Sequence, residues 1–191
     1  MPHGPFAVQS GFLLTSAPTV LYQKAHWYAC HTRARHEKKA AASLEQRGVE
    51  SFLPLLARDS VWSDRVKRVA VPLFSGYVFA RFTLDELTRV LCSTGVAGVV
   101  KLRGYPSPIP CAQIENVRHA CAAAADEVEP SPEAFPSGAW VRVTSGPLAG
   151  LVGIVTETRG SRCVRVGISA IGRWLDVVVG TAVLEPTCAP A

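Results

Sequence analysis

The chain has 191 residues, 48% hydrophobic and 18% charged, which describes a folded protein of one medium or two small domains and excludes a disordered one. No window reaches the roughly eighteen unbroken apolar residues of a membrane span. The net charge of +5 is uneven: residues 1–103 carry 14 Lys/Arg against 7 Asp/Glu and residues 104–191 carry 6 against 8, so a polyanion is felt by the first part.

In chain order, residues 1–25 come first, with the apolar stretch "FAVQSGFLLTSAPTVLY" interrupted by Gln9, Ser10, Gly11, Ser16 and Pro18. No basic run precedes it, so it reads as a poorly ordered extension or a misassigned upstream start, a secretion signal being the alternative. "HWYACHT" (26–32) is a short aromatic strand. "RHEKKAAASLEQRG" holds good helix formers and stops at Gly48, a C-terminal cap. "VESFLPL" is a strand, and "ARDSVWSDRVKRVAV" is two β-prone arms around Ser63-Asp64, a hairpin. The strand "GYVFARF", a short helix near Asp85–Leu91 and the strand "GVAGVVKL" follow. "PCAQIENVRHACAAAA" is a helix beginning near Pro110, with Ile114, Val117 and Cys121 on one face. Strands mixed with two or three helices make residues 26–121 an α+β unit, an antiparallel sheet packed with helices.

Residues 122–137 turn acidic and hold Pro130, Pro132 and Pro136, the chemistry of an extended linker without a packed face. Residues 138–186 are all β: "AWVRVTSG", "GLVGIVTET", "RCVRVGIS" and "RWLDVVVG" are four short strands, and Val141/Val143, Val164/Val166 and Leu175/Val177 keep a period of two. So few residues suit a small barrel, closed to avoid open edges, with residues 187–191 as a tail. Val, Ile and Gly are frequent here, so the intrinsic preference is β and a helical state is not expected.

Little in the chain argues for chemistry. Cys30, Cys92, Cys111, Cys121, Cys163 and Cys188 form no CxxC, and neither Cys111/His119/Cys121 nor Cys30/His31 has zinc-site spacing. Buried or idle thiols of a reducing cytoplasm, with no metal and no cofactor, are the reading. There is no phosphate-binding Gly-rich loop and no nucleophile elbow, while Asp59, Asp64, His26, His31 and His36 read as solvated surface. This is a binding protein, not an enzyme. The stretch "VPLFSGYVFARF" (71–82) is unusual because Leu73, Phe74 and Tyr77 crowd a Pro/Gly turn that would ordinarily be polar. Those rings face either a core or a partner. Phe79 and Phe82 alternate along a central strand and belong to the core.

"WVRVTSGPLAGLVGIV" (140–155) resembles the KOW motif, with alternating valines, a Gly-Pro turn and Gly-x-x-Gly before an apolar strand. "WYACHTRARHEKKAAASLEQRGVESFLPL", "PLFSGYVFARF" and "GVAGVVKLRGYPSPIP" resemble the N-terminal domain of NusG-type transcription elongation factors. The resemblance covers roughly residues 26–186, and it makes the second unit an SH3-like KOW barrel. "WSDRVKRVAVPLFSGY" and "SPIP" are similar to the operon-dedicated antiterminators, the RfaH and UpxY/LoaP-like branch. Ser75 departs from the family, which usually has proline before this glycine.

The resemblance implies a monomer that docks on the clamp helices of RNA polymerase, suppresses pausing and promotes antitermination. It gives the docking role to Leu73, Phe74 and Tyr77. Arg33, Arg35, His36, Lys38 and Lys39 at the first helix, with Arg65, Lys67 and Arg68 on the hairpin, are candidates for phosphates of upstream or non-template DNA; Trp62 is a further stacking candidate. In the barrel, "SAIGR" matches an exposed partner loop and makes Ile171 and Trp174 candidates for contact with Rho or a small-subunit ribosomal protein. A KOW-containing RNA- or ribosome-binding protein acting in translation is the alternative, in which "PLFSGYVFARF" is plain core.

Overall fold

The computed structural model describes residues 19–62, 65–123, 128–131, 138–146, 148–158, 161–178 and 184–188. A helical turn, α1 (Val20–Gln23), precedes β1 (His26–Thr32), and α2 (Glu37–Gln46) follows. Ala40 and Leu44 lie one turn apart on α2, and both are buried. The helix stops as the sequence suggests: the Val49 and Gly48 N–H groups reach back to the Leu44 and Glu45 carbonyls, satisfying acceptors the helix end would leave open. β2 (Glu50–Phe52), β3 (Leu55–Trp62), β4 (Arg65–Pro72) and β5 (Tyr77–Phe82) come next. The expected single strand "VESFLPL" is therefore two, divided at Leu53-Pro54, where proline has no N–H to give a ladder. β3 and β4 pair from Leu55↔Pro72 to Trp62↔Arg65, which makes the hairpin; its Ser63-Asp64 tip lies outside the described residues. A 3-10 turn (Leu84–Glu86), α3 (Leu87–Leu91), β6 (Val96–Val99), the small ribbon β7 (Lys101–Leu102) with β8 (Tyr105–Pro106), and α4 (Cys111–Ala123) complete this part.

The first sheet has the order β2-β5-β1-β6, with β1 antiparallel to both of its neighbours. Both faces are covered. Tyr28, Cys30, Val78, Ala80 and Phe82 face Ala40, Leu44 and Val90 of α2 and α3. On the opposite face, Trp27, Ala29 and Phe79 meet Leu56, Leu73 and Phe74 from the hairpin base and Ile114, Val117 and Ala120 of α4. A central strand covered on two sides must be apolar at successive positions, and Trp27 to Cys30 are all buried.

The C-terminal part is a six-stranded sheet: β9 (Val128–Ser131), β10 (Trp140–Val143), β11 (Val152–Thr158), β12 (Ser161–Ile168), β13 (Arg173–Val178) and β14 (Leu184–Pro186), in the order β14-β10-β11-β12-β13-β9. Two strands exceed the expectation. β14 pairs with β10 through Val143↔Leu184, and β9 arises inside the stretch read as linker, pairing Val128 with Val177 and Pro130 with Leu175. Proline is tolerated in β9 because it is the outermost strand, where one row of N–H groups has no neighbour to serve.

The two parts are joined by more than a linker. α4 packs along β12, and one apolar cluster runs from Trp27 and Phe79 through Ile114 and Val117 to Val164, Val166 and Leu175. Two amides one turn apart on α4 make the polar side of that contact. Asn116 Nδ2 donates to the Val152 carbonyl (2.7 Å) and its Oδ1 accepts from the Val152 N–H (3.2 Å). Gln113 Oε1 accepts from the Ser169 N–H (3.0 Å) and Nε2 donates to Ser169 Oγ (3.1 Å). Across β12 and β13, Arg165 and Asp176 form a buried two-pronged ion pair, with Nη2 to Oδ2 at 2.7 Å. Two charges taken out of water in this way are tolerated because they are paired and hydrogen-bonded.

Candidate functional site

The aromatic turn is held from beneath. Phe74 to Tyr77 form a tight turn in which the Tyr77 N–H reaches the Phe74 carbonyl (3.2 Å) and Gly76 adopts φ 83°. A positive φ at the third position is what a type II turn demands, and glycine adopts it without a Cβ penalty. Ser75 occupies the second position, the one proline pre-sets in such turns. The Gly76 N–H donates to Glu37 Oε1 of α2 (2.8 Å), and the Gly76 carbonyl accepts from the Thr32 N–H (2.9 Å). Glu37 is buried, so its carboxylate ties the turn to the helix rather than facing water. Sequence reasoning missed this residue because its partner lies 39 positions away.

Leu73 is 7% exposed and Phe74 4%, both within the apolar cluster, while Tyr77 is half-buried at its rim. The Phe74 ring meets Phe79 edge-on (centroids 6.0 Å), and Phe79 faces Phe52 (6.2 Å). The Arg118 guanidinium of α4 lies 4.5 Å over the Phe52 ring. Tyr77 stands 4.9 Å from the exposed His31 ring across the β1–β5 pair. The turn therefore begins a file of rings that crosses the sheet to α4. Phe79 and Phe82 are fully buried, as core residues.

Of the basic candidates, Arg35 and Lys38 line a common cavity. Arg33, Arg35, Lys38 and Lys39 are exposed around the start of α2, and His36, half-buried, shares a hydrogen bond with the Ala34 carbonyl. Lys38 Nζ donates to the Ala70 carbonyl of β4 (2.7 Å), which bridges helix and hairpin. Arg35 takes φ 59°, left-handed backbone that is uncommon without glycine. Arg35 and Lys38 join Arg58 of β3 around a cavity of about 570 Å³; Arg33, His36 and Lys39 do not line it. Arg68 is exposed on β4. Arg65 and Lys67 belong to β4 by backbone, and their side chains, with that of Trp62, lie outside the described residues.

In the C-terminal part, Ile171 ends a 3-10 turn (Ser169–Ile171) closed by Gly172 at φ 59°. It is half-buried against the shared cluster, on the same turn that Gln113 holds through Ser169. Trp174 is half-buried and lies across Gly167, where a Cβ would come within 2.8 Å of the indole. Glycine is therefore required for that close approach. Among the described residues, no three His, Cys, Asp or Glu side chains gather as a metal site, and no helix is long and apolar enough to cross a membrane.

The family model described as "NusG: Transcription termination factor nusG" matches residues 25–118. A transcription termination/antitermination protein NusG from Thermus thermophilus is 31% identical over 170 residues, covering 79% of this chain and 92% of that protein. The chain belongs to the NusG family. The NusG protein of Staphylococcus carnosus is 28% identical over 169 residues, covering 80% of this chain and 91% of that one. Among solved structures, one reported as "Domain interaction in Thermotoga maritima NusG" matches with a TM-score of 0.51 at 23% identity, over 86% of this chain and 98% of that one. That likeness supports the NusG fold: a sheet-and-helix part followed by a strand-rich part.

Proposed function

We propose that this NusG-family chain is a transcription elongation and antitermination factor that binds RNA polymerase through the face bearing the Leu73–Tyr77 turn. The observation that carries the reading is the turn itself: an aromatic turn pinned by a buried carboxylate, with Tyr77 at its open rim and Phe74 behind it. Preorganised aromatic anchors bind a helical partner at low entropic cost. In this reading residues 26–121 engage the polymerase clamp helices, and residues 138–186 recruit a second partner, Rho or a small-subunit ribosomal protein, through Ile171 and Trp174. Arg33, Arg35, His36, Lys38, Lys39, Arg65, Lys67 and Arg68 supply contacts to upstream or non-template DNA. The factor is monomeric and cytoplasmic, and the hairpin with "SPIP" favours the operon-dedicated branch.

Capture of RNA polymerase, or of its isolated clamp helices, tests the docking role. Tyr77→Ala is expected to weaken capture about tenfold, and Phe74→Ala with Tyr77→Ala to abolish it, as for paired interface anchors. Circular dichroism establishes that both variants are folded. Intact capture by the folded double variant would falsify this docking surface.

A further inference from the structure

Ser75 is exposed at the second position of the Phe74–Tyr77 turn, and its hydroxyl has no hydrogen-bond partner among the described residues. It lines the cavity between α2 and the hairpin together with Arg35, Lys38 and Arg58. Both arginines are exposed, and neither has a hydrogen-bond or ion-pair partner among the described residues. Lys38 donates to the Ala70 carbonyl, and an ammonium with three donors has others to spare. The carboxylate of the lining belongs to Glu37, which is buried and already accepts from the Gly76 N–H. Three cations against that one carboxylate leave the lining with two positive charges in excess. An exposed hydroxyl beside surplus cations contributes nothing to the packing of the turn, but it suits an attached dianion.

We infer that Ser75 is a phosphorylation site and that Arg35, Lys38 and Arg58 receive the phosphate it acquires. The donor is ATP, acting through a Ser/Thr protein kinase. The γ-phosphorus forms a bond to Ser75 Oγ as its bond to the departing ADP oxygen breaks, and the hydroxyl proton passes to the kinase's base. A phosphoserine carries about two negative charges and three acceptor oxygens near neutral pH, which matches the excess of the lining. Guanidinium forks bind such oxygens pairwise. The seated phosphate ties the turn to α2 through Arg35 and Lys38 and to β3 through Arg58. NusG-type chains usually have proline at this position, which offers no hydroxyl, so the site belongs to this chain's departure at Ser75. Its consequence rests on the transcription reading above: cations engaged by the phosphate are withdrawn from DNA, and the modification lowers DNA affinity.

The test has three readings on the full chain. Mass spectrometry of the protein isolated from its own cells across growth phases is expected to find phosphate on Ser75; none there in any phase overturns the modification. Phosphoserine incorporated at position 75 is then titrated by phosphorus NMR. Its second ionisation is expected about one unit below the roughly 6 of a free phosphoserine, because the cations favour the dianion. Arg35→Gly with Arg58→Ala returns it toward 6, whereas Arg89→Ala, outside the cavity, does not. Arg35→Gly suits the positive φ and Arg58 is exposed, so the double variant folds, which circular dichroism checks. An ionisation at the free value in the otherwise wild-type chain, or an equal shift in the double variant, overturns the cation site. Anisotropy of labelled oligothymidylate gives the third reading: the phosphorylated chain is expected to bind about tenfold more weakly than the unmodified one, with a shallower salt dependence. Equal binding by the two forms overturns the switch, whereas failure of the unmodified chain to bind at all removes the DNA contacts of the transcription reading and leaves the phosphate site standing.

Discussion

Tyr28 places its ring 4.6 Å from Phe82 in the core beneath α2, and its hydroxyl has no hydrogen-bond partner among the described residues. Burial raises that phenol from 10.0 to about 12. A buried hydroxyl without a partner costs about 1–3 kcal/mol, so Tyr28→Phe is expected to stabilise the protein by about 1 kcal/mol in chemical denaturation. Cys30, on the same face, has its thiol pushed up by burial from 9.0 to about 12. Below pH 9 this thiol is protonated in both folded and unfolded chains and contributes no pH dependence. As the pH rises from 9.0 toward 12, only the unfolded chain ionises it, so unfolding releases a proton and stability falls. Melting temperature followed from pH 8 to pH 10.5 should decline, and less steeply in Cys30→Ala. At this scale the sequence shows only that a Cys or Tyr is present; its titration depends on what packs around it.

At the scale of elements, the turn and α2 act as one piece because Glu37 accepts from Gly76. Glu37→Ala leaves a partly buried N–H without its acceptor and should cost about 1 kcal/mol. Glu37→Gln keeps a carbonyl oxygen in reach and should cost less. Amide exchange at Gly76 should quicken in the alanine variant, while exchange at Phe79 in the adjoining strand should follow only the change in global stability; equal protection at Gly76 in all three proteins would remove the tie. Elements were the most legible level of this chain. Glycine after a run of helix formers gave the end of α2, and two β-prone arms around Ser63-Asp64 gave the hairpin. β9 was hidden because Pro130 and acidic neighbours read as linker, whereas the open edge of β13 accepts them. Arg58 was hidden for a similar reason: nothing local to β3 indicates that the start of α2 lies across from it.

In the whole molecule, the contact between α4 and the strand-rich part turns two sequence units into one apolar cluster. Asn116 occupies both backbone hydrogen-bonding groups of Val152, as a neighbouring strand would, while Gln113 takes the backbone N–H and the side-chain hydroxyl of Ser169. Gln113→Ala with Asn116→Ala should loosen this contact without unfolding either part, because the released amides of the strand-rich part gain water. Amide exchange at Val152 and Ser169 is expected to rise at least about tenfold, with the protection of the first sheet retained. Unchanged exchange would show that the apolar contact alone holds the parts together.

The sequence by itself determined the two-part α+β and all-β plan, the order of most elements, the β10–β11 hairpin of the C-terminal part and the aromatic turn. Each rests on local signals: periodicity, turn residues and helix ends. Tertiary structure decided the rest. It buried Phe74 and left Tyr77 at the rim, joined Glu37 to Gly76, brought Arg58 to Arg35 and Lys38, and set Gln113 and Asn116 against the strand-rich part. The physical reason is contact between residues far apart in the chain. Hydrogen-bond and charge partners chosen across long stretches of chain leave no periodic trace, since a polar side chain looks the same in sequence whether it meets water or a distant backbone.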